Sequence, residues 1–152
     1  MQLNVTDIKN LREETGAGVL EVKMALEKYN GDVNQAREEL TKKFASKAAK
    51  KSDRVTKDGL VYSYIHATGK VGSLVVLACE TDFVAKTDDF KKLVHEIAMQ
   101  ATTDDYATVE DLLNAEYIRD GSKKISDLIN AVVAKVGEKI EIRKFVKFSV
   151  TE

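Results

Sequence analysis

Apolar positions recur along this chain with two different periods, and the change from one to the other divides it into two units. In the first unit the period is helical. Thr6-Asp7 opens a short helix carrying Ile8 and Leu11, which stops at Thr15-Gly16-Ala17-Gly18, a turn tight enough for the backbone to approach another helix closely. A second helix from Val19 to Tyr29 places Val22, Ala25, Leu26 and Tyr29 on one face. Asn30-Gly31-Asp32 ends it and caps a third, whose stripe is Val33, Ala36, Leu40 and Phe44. Three short helices with one apolar stripe each can bury them only against one another, so residues 1–45 are expected to form a three-helix bundle.

From Gly59 the pattern shortens toward strands. Leu60 to Ala67, with Val61, Tyr62, Tyr64 and Ile65, has strand composition, and Thr68-Gly69-Lys70 turns it back as a hairpin. The continuous apolar run Ser73 to Cys79 is too short for a typical helix and predicts a central strand buried on both faces. Thr87 then caps a helix with Asp88 and Asp89 in its first turn and Phe90, Leu93, Val94, Ile97, Ala98 and Ala101 as its stripe. A loop at residues 102–105 and a short helix from Val109 to Asn114 follow. Asp120-Gly121-Ser122 breaks the chain, with Ser122 as the expected cap of a helix whose stripe is Ile125, Leu128, Ile129, Val132, Val133 and Val136 and whose end is Gly137. In the last segment Ile140, Ile142, Val146, Phe148 and Val150 alternate, predicting one buried strand face with Lys144 as its exception and Phe145 on the polar face. The fold class expected is α+β: the bundle, a basic helical linker over residues 46–57, and a core unit over residues 58–152 with a small antiparallel three-stranded sheet packed with helices. So few strands leave edges and an apolar final strand to be covered, for which self-association through the α+β units is the economical answer.

Composition narrows the function classes. Lys plus Arg (24) nearly balance Asp plus Glu (25), so no global basic field advertises nucleic acid and no acidic excess marks a disordered tail. No apolar run approaches the roughly 18 residues a membrane helix needs, and no signal or transit pattern is evident, so a cytoplasmic protein without membrane contact is expected. Cys79, the single cysteine, lies inside the apolar strand and reads as a small buried hydrophobe. His66 and His95 belong to no recognisable catalytic word. The basic run Lys42, Lys43, Lys47, Lys50, Lys51 and Arg54 lacks the interleaved aromatics of a single-strand binder, and reads as a solvated helix tail and linker.

The connection Glu80 to Lys86 carries the most distinctive residue. Phe83 sits at the tip of a polar strand-to-helix turn, and two readings fit it: a lid folded back on the local core, or an apolar group held out for a partner's pocket. Glu80, Asp82, Asp88 and Asp89 could alternatively be drawn together as a divalent-metal cluster of a hydrolase, although their spacing matches no metal motif and the two later aspartates suit a helix start. A helix-bundle adaptor is a further alternative, which explains residues 1–45 and leaves Phe83 without a role.

Cys79-Glu80-Thr81-Asp82-Phe83-Val84-Ala85-Lys86, followed by Asp88-Asp89-Phe90, closely resembles the central motif of bacterial elongation factor Ts, the exchange factor of elongation factor Tu. Two further words fall in order: Leu11-Arg12-Glu13-Glu14-Thr15-Gly16-Ala17-Gly18 with Lys23 and Ala25-Leu26, and Gly137-Glu138-Lys139-Ile140 with Arg143. The resemblance implies a ubiquitin-associated-like N-terminal bundle whose partner patch involves Leu11, Arg12, Gly16, Gly18, Val19, Leu20 and Lys23. It also implies an exchange loop of Thr81, Asp82, Phe83 and Val84, whose Asp and Phe press into the nucleotide-binding domain of elongation factor Tu, disturb its Mg2+ and release GDP. On this resemblance the factor binds GDP-bound and nucleotide-free partner, needs no cofactor or metal of its own and does no covalent chemistry. The sequence ends at Glu152, which suggests the family's short form, expected to work as a homodimer.

Overall fold

The stripes of the first unit close on one another as their spacing predicts. The structure is a computed structural model that describes residues 2–151. Helix α1 (Val5–Thr15) begins a residue before the Thr6-Asp7 signal, because the Asn4 side chain accepts the Thr6 N–H at 2.8 Å. It ends at Gly16, whose φ of 73° is the left-handed geometry a helix stop of this kind requires. Helices α2 (Val19–Lys28) and α3 (Val33–Ala49) follow, the latter capped by the Asp32 carboxylate, which accepts the Gln35 N–H at 3.0 Å. Leu11, Val22, Ala25, Leu26, Ala36, Leu40 and Phe44 are buried together between them.

Of the basic segment expected as a helical linker over residues 46–57, the first four residues are the last turn of α3, which runs on to Ala49, and the rest lies outside any helix. Strands β1 (Asp58–Ile65) and β2 (Val71–Cys79) then form the hairpin. After β2 come a one-turn helix α4 (Asp82–Ala85), helix α5 (Asp88–Ala101) and helix α6 (Val109–Asn114). A small hairpin of β3 (Glu116–Tyr117) and β4 (Asp120–Lys124) occupies the stretch where a cap at Ser122 was expected. Ser122 bonds back to Asp120 instead, and helix α7 (Ile125–Val136) starts after Lys124, whose N–H is accepted by Asp127 at 2.9 Å. Strand β5 (Ile140–Ser149) closes an antiparallel sheet in the order β1-β2-β5, so the fold is α+β.

One face of this sheet carries the core and the other is open, which corrects two expectations. Central position does not bury β2 on both faces: Ser73, Val75, Leu77 and Cys79 are buried under α5 and α7, whereas Leu74 is exposed. In β5 a bulge intervenes, since Leu77 pairs with Ile142 and Val76 with Lys144, leaving Arg143 as the extra residue. An extra residue exchanges the two faces of a strand from that point on. Ile140 and Ile142 are buried as expected, but after the bulge Phe145 joins the core, while Val146, Phe148 and Val150 point to the open face and are exposed.

The bundle is seated on α7 rather than tethered loosely. Ala134 of α7 packs into the bundle core and Ala48 of α3 into the sheet core. A β-carbon placed at Gly16 would lie 2.9 Å from the Ala131 carbonyl oxygen, so only glycine permits this approach. Lys123 adds a bond from its ammonium to the Glu14 carbonyl at 3.2 Å.

Candidate functional site

A helix of one turn has no stability of its own, because its nucleus fixes several residues for a single hydrogen bond. Helix α4 must therefore be held by its surroundings. Val84 and Ala85 are buried beneath it, and the Thr87 hydroxyl donates to the Val84 carbonyl at 2.7 Å while accepting the Phe90 N–H at 3.2 Å. On the entry side the Glu138 carboxylate, from the α7–β5 connection, accepts three bonds. These come from the Glu80 N–H at 3.1 Å, the Thr81 N–H at 3.0 Å and the Thr81 hydroxyl at 2.7 Å. Glu80 reciprocates: its carboxylate accepts the Lys139 N–H at 2.8 Å and an Arg54 N–H at 3.3 Å, and Arg54 also donates to the Gly137 carbonyl. Two adjacent turns are thus tied together by each other's glutamate.

On this platform Phe83 is 81% exposed, the most exposed large apolar side chain among the described residues. The ring does not fold back as a lid. Beside it Asp82 is exposed and paired with Lys86 at 3.0 Å, a bond that lowers its carboxyl below the ordinary range. Of the four residues expected to meet a partner here, Asp82 and Phe83 are exposed and the other two are engaged within the chain. Val84 is a core residue, because the third side chain of this one-turn helix faces the sheet, and the Thr81 hydroxyl is engaged by Glu138.

The bundle surface divides in the same way. Leu20 is 70% exposed, and Arg12, Gly18, Val19 and Lys23 also face solvent. Leu11 does not: it is fully buried in the bundle core, since its stripe position is the one that α2 and α3 cover. Gly16 is half-buried against α7. Met24 was missed although its signal was available, for it lies one turn beyond Leu20 and extends the same apolar ridge. Glu21, on the neighbouring face, is held down to about 2 by its bond from Lys43 first, with the Gly18 N–H and Lys47 adding to it. That pairing occupies two lysines of the basic run. Arg12, with Lys9 and Gly16, also lines an open cleft of about 740 Å³ whose other wall is Asp89, Lys92, Val132 and Lys135.

The four carboxylates of the hydrolase alternative do not converge. Glu80 is spent on Lys139 and Arg54, Asp82 on Lys86 and Asp89 on Lys135, and no group of three His, Cys, Asp or Glu among the described residues is placed to share a cation. Burial pushes the Cys79 thiol up to about 11, with the charges of Glu138 and Asp58 acting in the same direction, so it is a poor nucleophile. His95 shares a hydrogen bond at 2.8 Å with the Tyr62 hydroxyl, and His66 one at 3.1 Å with Tyr64. Glu138 had no local signal for its role, because its partners lie 57 and 58 residues earlier in the chain.

With this geometry in view, residues 80–152 match the family model described as elongation factor TS. The chain is 55% identical over 100 residues to elongation factor Ts of Petrotoga mobilis, covering 66% of this chain and 51% of that protein. It is 54% identical over 99 residues to elongation factor Ts of Fervidobacterium nodosum, covering 65% and 50%, and 56% identical over 93 residues to that of Syntrophomonas wolfei, covering 61% and 44%. The chain thus spans about half the length of the curated relatives it matches.

Proposed function

We propose that this chain, a member of the elongation factor Ts family through residues 80–152, is a guanine-nucleotide exchange factor that binds elongation factor Tu and promotes release of its GDP. The observation that carries this reading is the presentation of Phe83: an aromatic ring held 81% exposed on a turn anchored at its start by Glu138 and at its end by Val84, Ala85 and Thr87. Exposing a phenylalanine in this way costs free energy unless a partner's pocket receives it. An exchange factor works by binding the nucleotide-free partner better than the GDP-bound one, and linkage then requires that it weaken GDP by the same ratio that GDP weakens it. Phe83 and Asp82 supply the contacts that favour the emptied state. No covalent step is asked of this chain, and nucleotide and metal both belong to the partner.

The ridge of Leu20 and Met24, with Arg12 and Lys23 beside it, serves as the anchoring surface of the bundle. The open sheet face, with Val61, Ile65, Leu74, Val146, Phe148 and Val150 exposed together across three strands, is covered by a second copy of the chain about a twofold axis. No helix among the described residues is long and apolar enough to cross a membrane, in keeping with a cytoplasmic site of action.

Mixing the chain with elongation factor Tu loaded with fluorescent GDP and an excess of unlabelled nucleotide tests the proposal. Accelerated loss of fluorescence is expected at substoichiometric amounts of the chain. Release at the spontaneous rate at every concentration refutes it, and binding to the nucleotide-free partner without acceleration favours the adaptor alternative.

A further inference from the structure

Exposure of Phe83 is the property that the exchange reading needs, and the burial of Val84 and Ala85 on the opposite side of α4 does not by itself fix where the helix begins. The turn approaches from a buried strand end at Cys79 and leaves into the buried Phe90, so its outward path is set by how residues 80 and 81 are bonded. There the backbone donors of Glu80 and Thr81, which α4 cannot satisfy internally, both aim at one oxygen of Glu138, and the Thr81 hydroxyl takes the other. Thr81 is also the residue that caps α4, in an extended conformation with φ −129° and ψ 158°. A single side chain from a distant connection therefore accepts all three of these donors at the start of α4, while Val84, Ala85 and Thr87 hold the rest of the turn.

We propose that Glu138 is a positioning residue for nucleotide exchange, acting through Thr81 to hold Asp82 and Phe83 in the geometry that meets the partner; this rests on the exchange reading above. The Glu138 carboxylate is a rigid acceptor for donors on two consecutive residues, which a water molecule satisfies without fixing direction. The reciprocal bond from Lys139 N–H to Glu80 keeps the carrier of Glu138 in register with the turn it holds.

Three variants separate positioning from general stability: Glu138→Ala, Glu138→Gln and Phe83→Ala. Glutamine keeps an oxygen for the two backbone donors, whereas alanine removes it. At a temperature where circular dichroism shows each variant folded, Glu138→Ala is expected to lower the maximal rate of GDP release at saturating factor by about tenfold, corresponding to about 1.4 kcal/mol. Half-saturation is expected to shift by less, and Glu138→Gln to recover most of the rate. Hydrogen exchange of the Thr81 amide, measured without any partner, should speed up in Glu138→Ala and stay slow in Glu138→Gln. Wild-type protection of Thr81 in folded Glu138→Ala overturns the proposal, as does a wild-type maximal rate in that variant. A wild-type chain that releases no GDP, while Phe83→Ala and wild type behave alike, overturns the exchange function on which this role depends, and the loss of Thr81 protection then measures a clamp without that use.

Discussion

Replacing Phe83 by alanine isolates the contribution of the ring to a partner from its contribution to the fold. Its side chain is 81% exposed, so roughly a fifth of its surface is buried within the chain. Full burial of a phenylalanine contributes about 1.5–3 kcal/mol, so the share at stake in the free protein is about 0.3–0.6 kcal/mol. For a chain of this size that lowers the melting temperature by only about 1–2 °C. If the ring enters a partner pocket, the remaining four-fifths, about 1.2–2.4 kcal/mol, is lost from the complex, which converts to roughly an eight- to sixtyfold loss. Because Val84 and Ala85 remain beneath α4 and Glu138 still holds its start, the backbone of the variant is expected to keep its course. Differential scanning calorimetry reads the first quantity, and stopped-flow release of fluorescent GDP from elongation factor Tu reads the second. Exchange at the wild-type rate refutes the insertion reading. A fall of many degrees in melting temperature would show instead that the ring supports its own core, contrary to its exposure.

Leu20→Asp, at a position 70% exposed, should leave the melting temperature nearly unchanged and weaken binding to nucleotide-free elongation factor Tu in isothermal titration; unaltered affinity would remove the bundle from the interface. Phe148→Asp should convert a dimer into a 16.9 kDa monomer in sedimentation equilibrium, since Phe148 is 69% exposed on the open sheet face and contributes little to the isolated fold. A wild-type chain that is already a monomer at micromolar concentration would refute the twofold pair. Glu21 has a folded pKa of about 2 against an ordinary 4.5, so its contribution to stability is present above about 4.5 and is lost as pH falls toward 2. Glu21→Gln should therefore destabilise the bundle by about 1 kcal/mol at neutral pH, allowing for solvent screening of the lysine partners, with the difference from wild type narrowing through that window in urea titrations.

The helical stripes were legible from local pattern alone. Val22, Ala25 and Leu26, or Phe90, Leu93, Val94 and Ile97, recur at a spacing that only a helix turns to one side, and every one of them is buried. The identity of the three strands of the main sheet was equally plain, as was the peculiarity of Phe83, whose neighbours carry the motif that resembles the family. Which face of a strand is covered was not a local property. Val146, Phe148 and Val150 continue the alternation of Ile140 and Ile142 with Lys144 as the one exception, yet one unpaired residue at Arg143 sends them to the open side, and a bulge exists only relative to the partner strand. The β3–β4 hairpin escaped for a related reason: Asp120 to Lys124 is polar throughout, and it pairs only because Glu116 and Tyr117 lie opposite. Local sequence therefore determined the helices and the three strands of the main sheet, and singled out Phe83 without deciding between its two readings. Tertiary structure decided its presentation, because the acceptor that directs the turn at Thr81 stands on Glu138, 57 residues further along, and only folding brings a carboxylate and its donors within 3 Å.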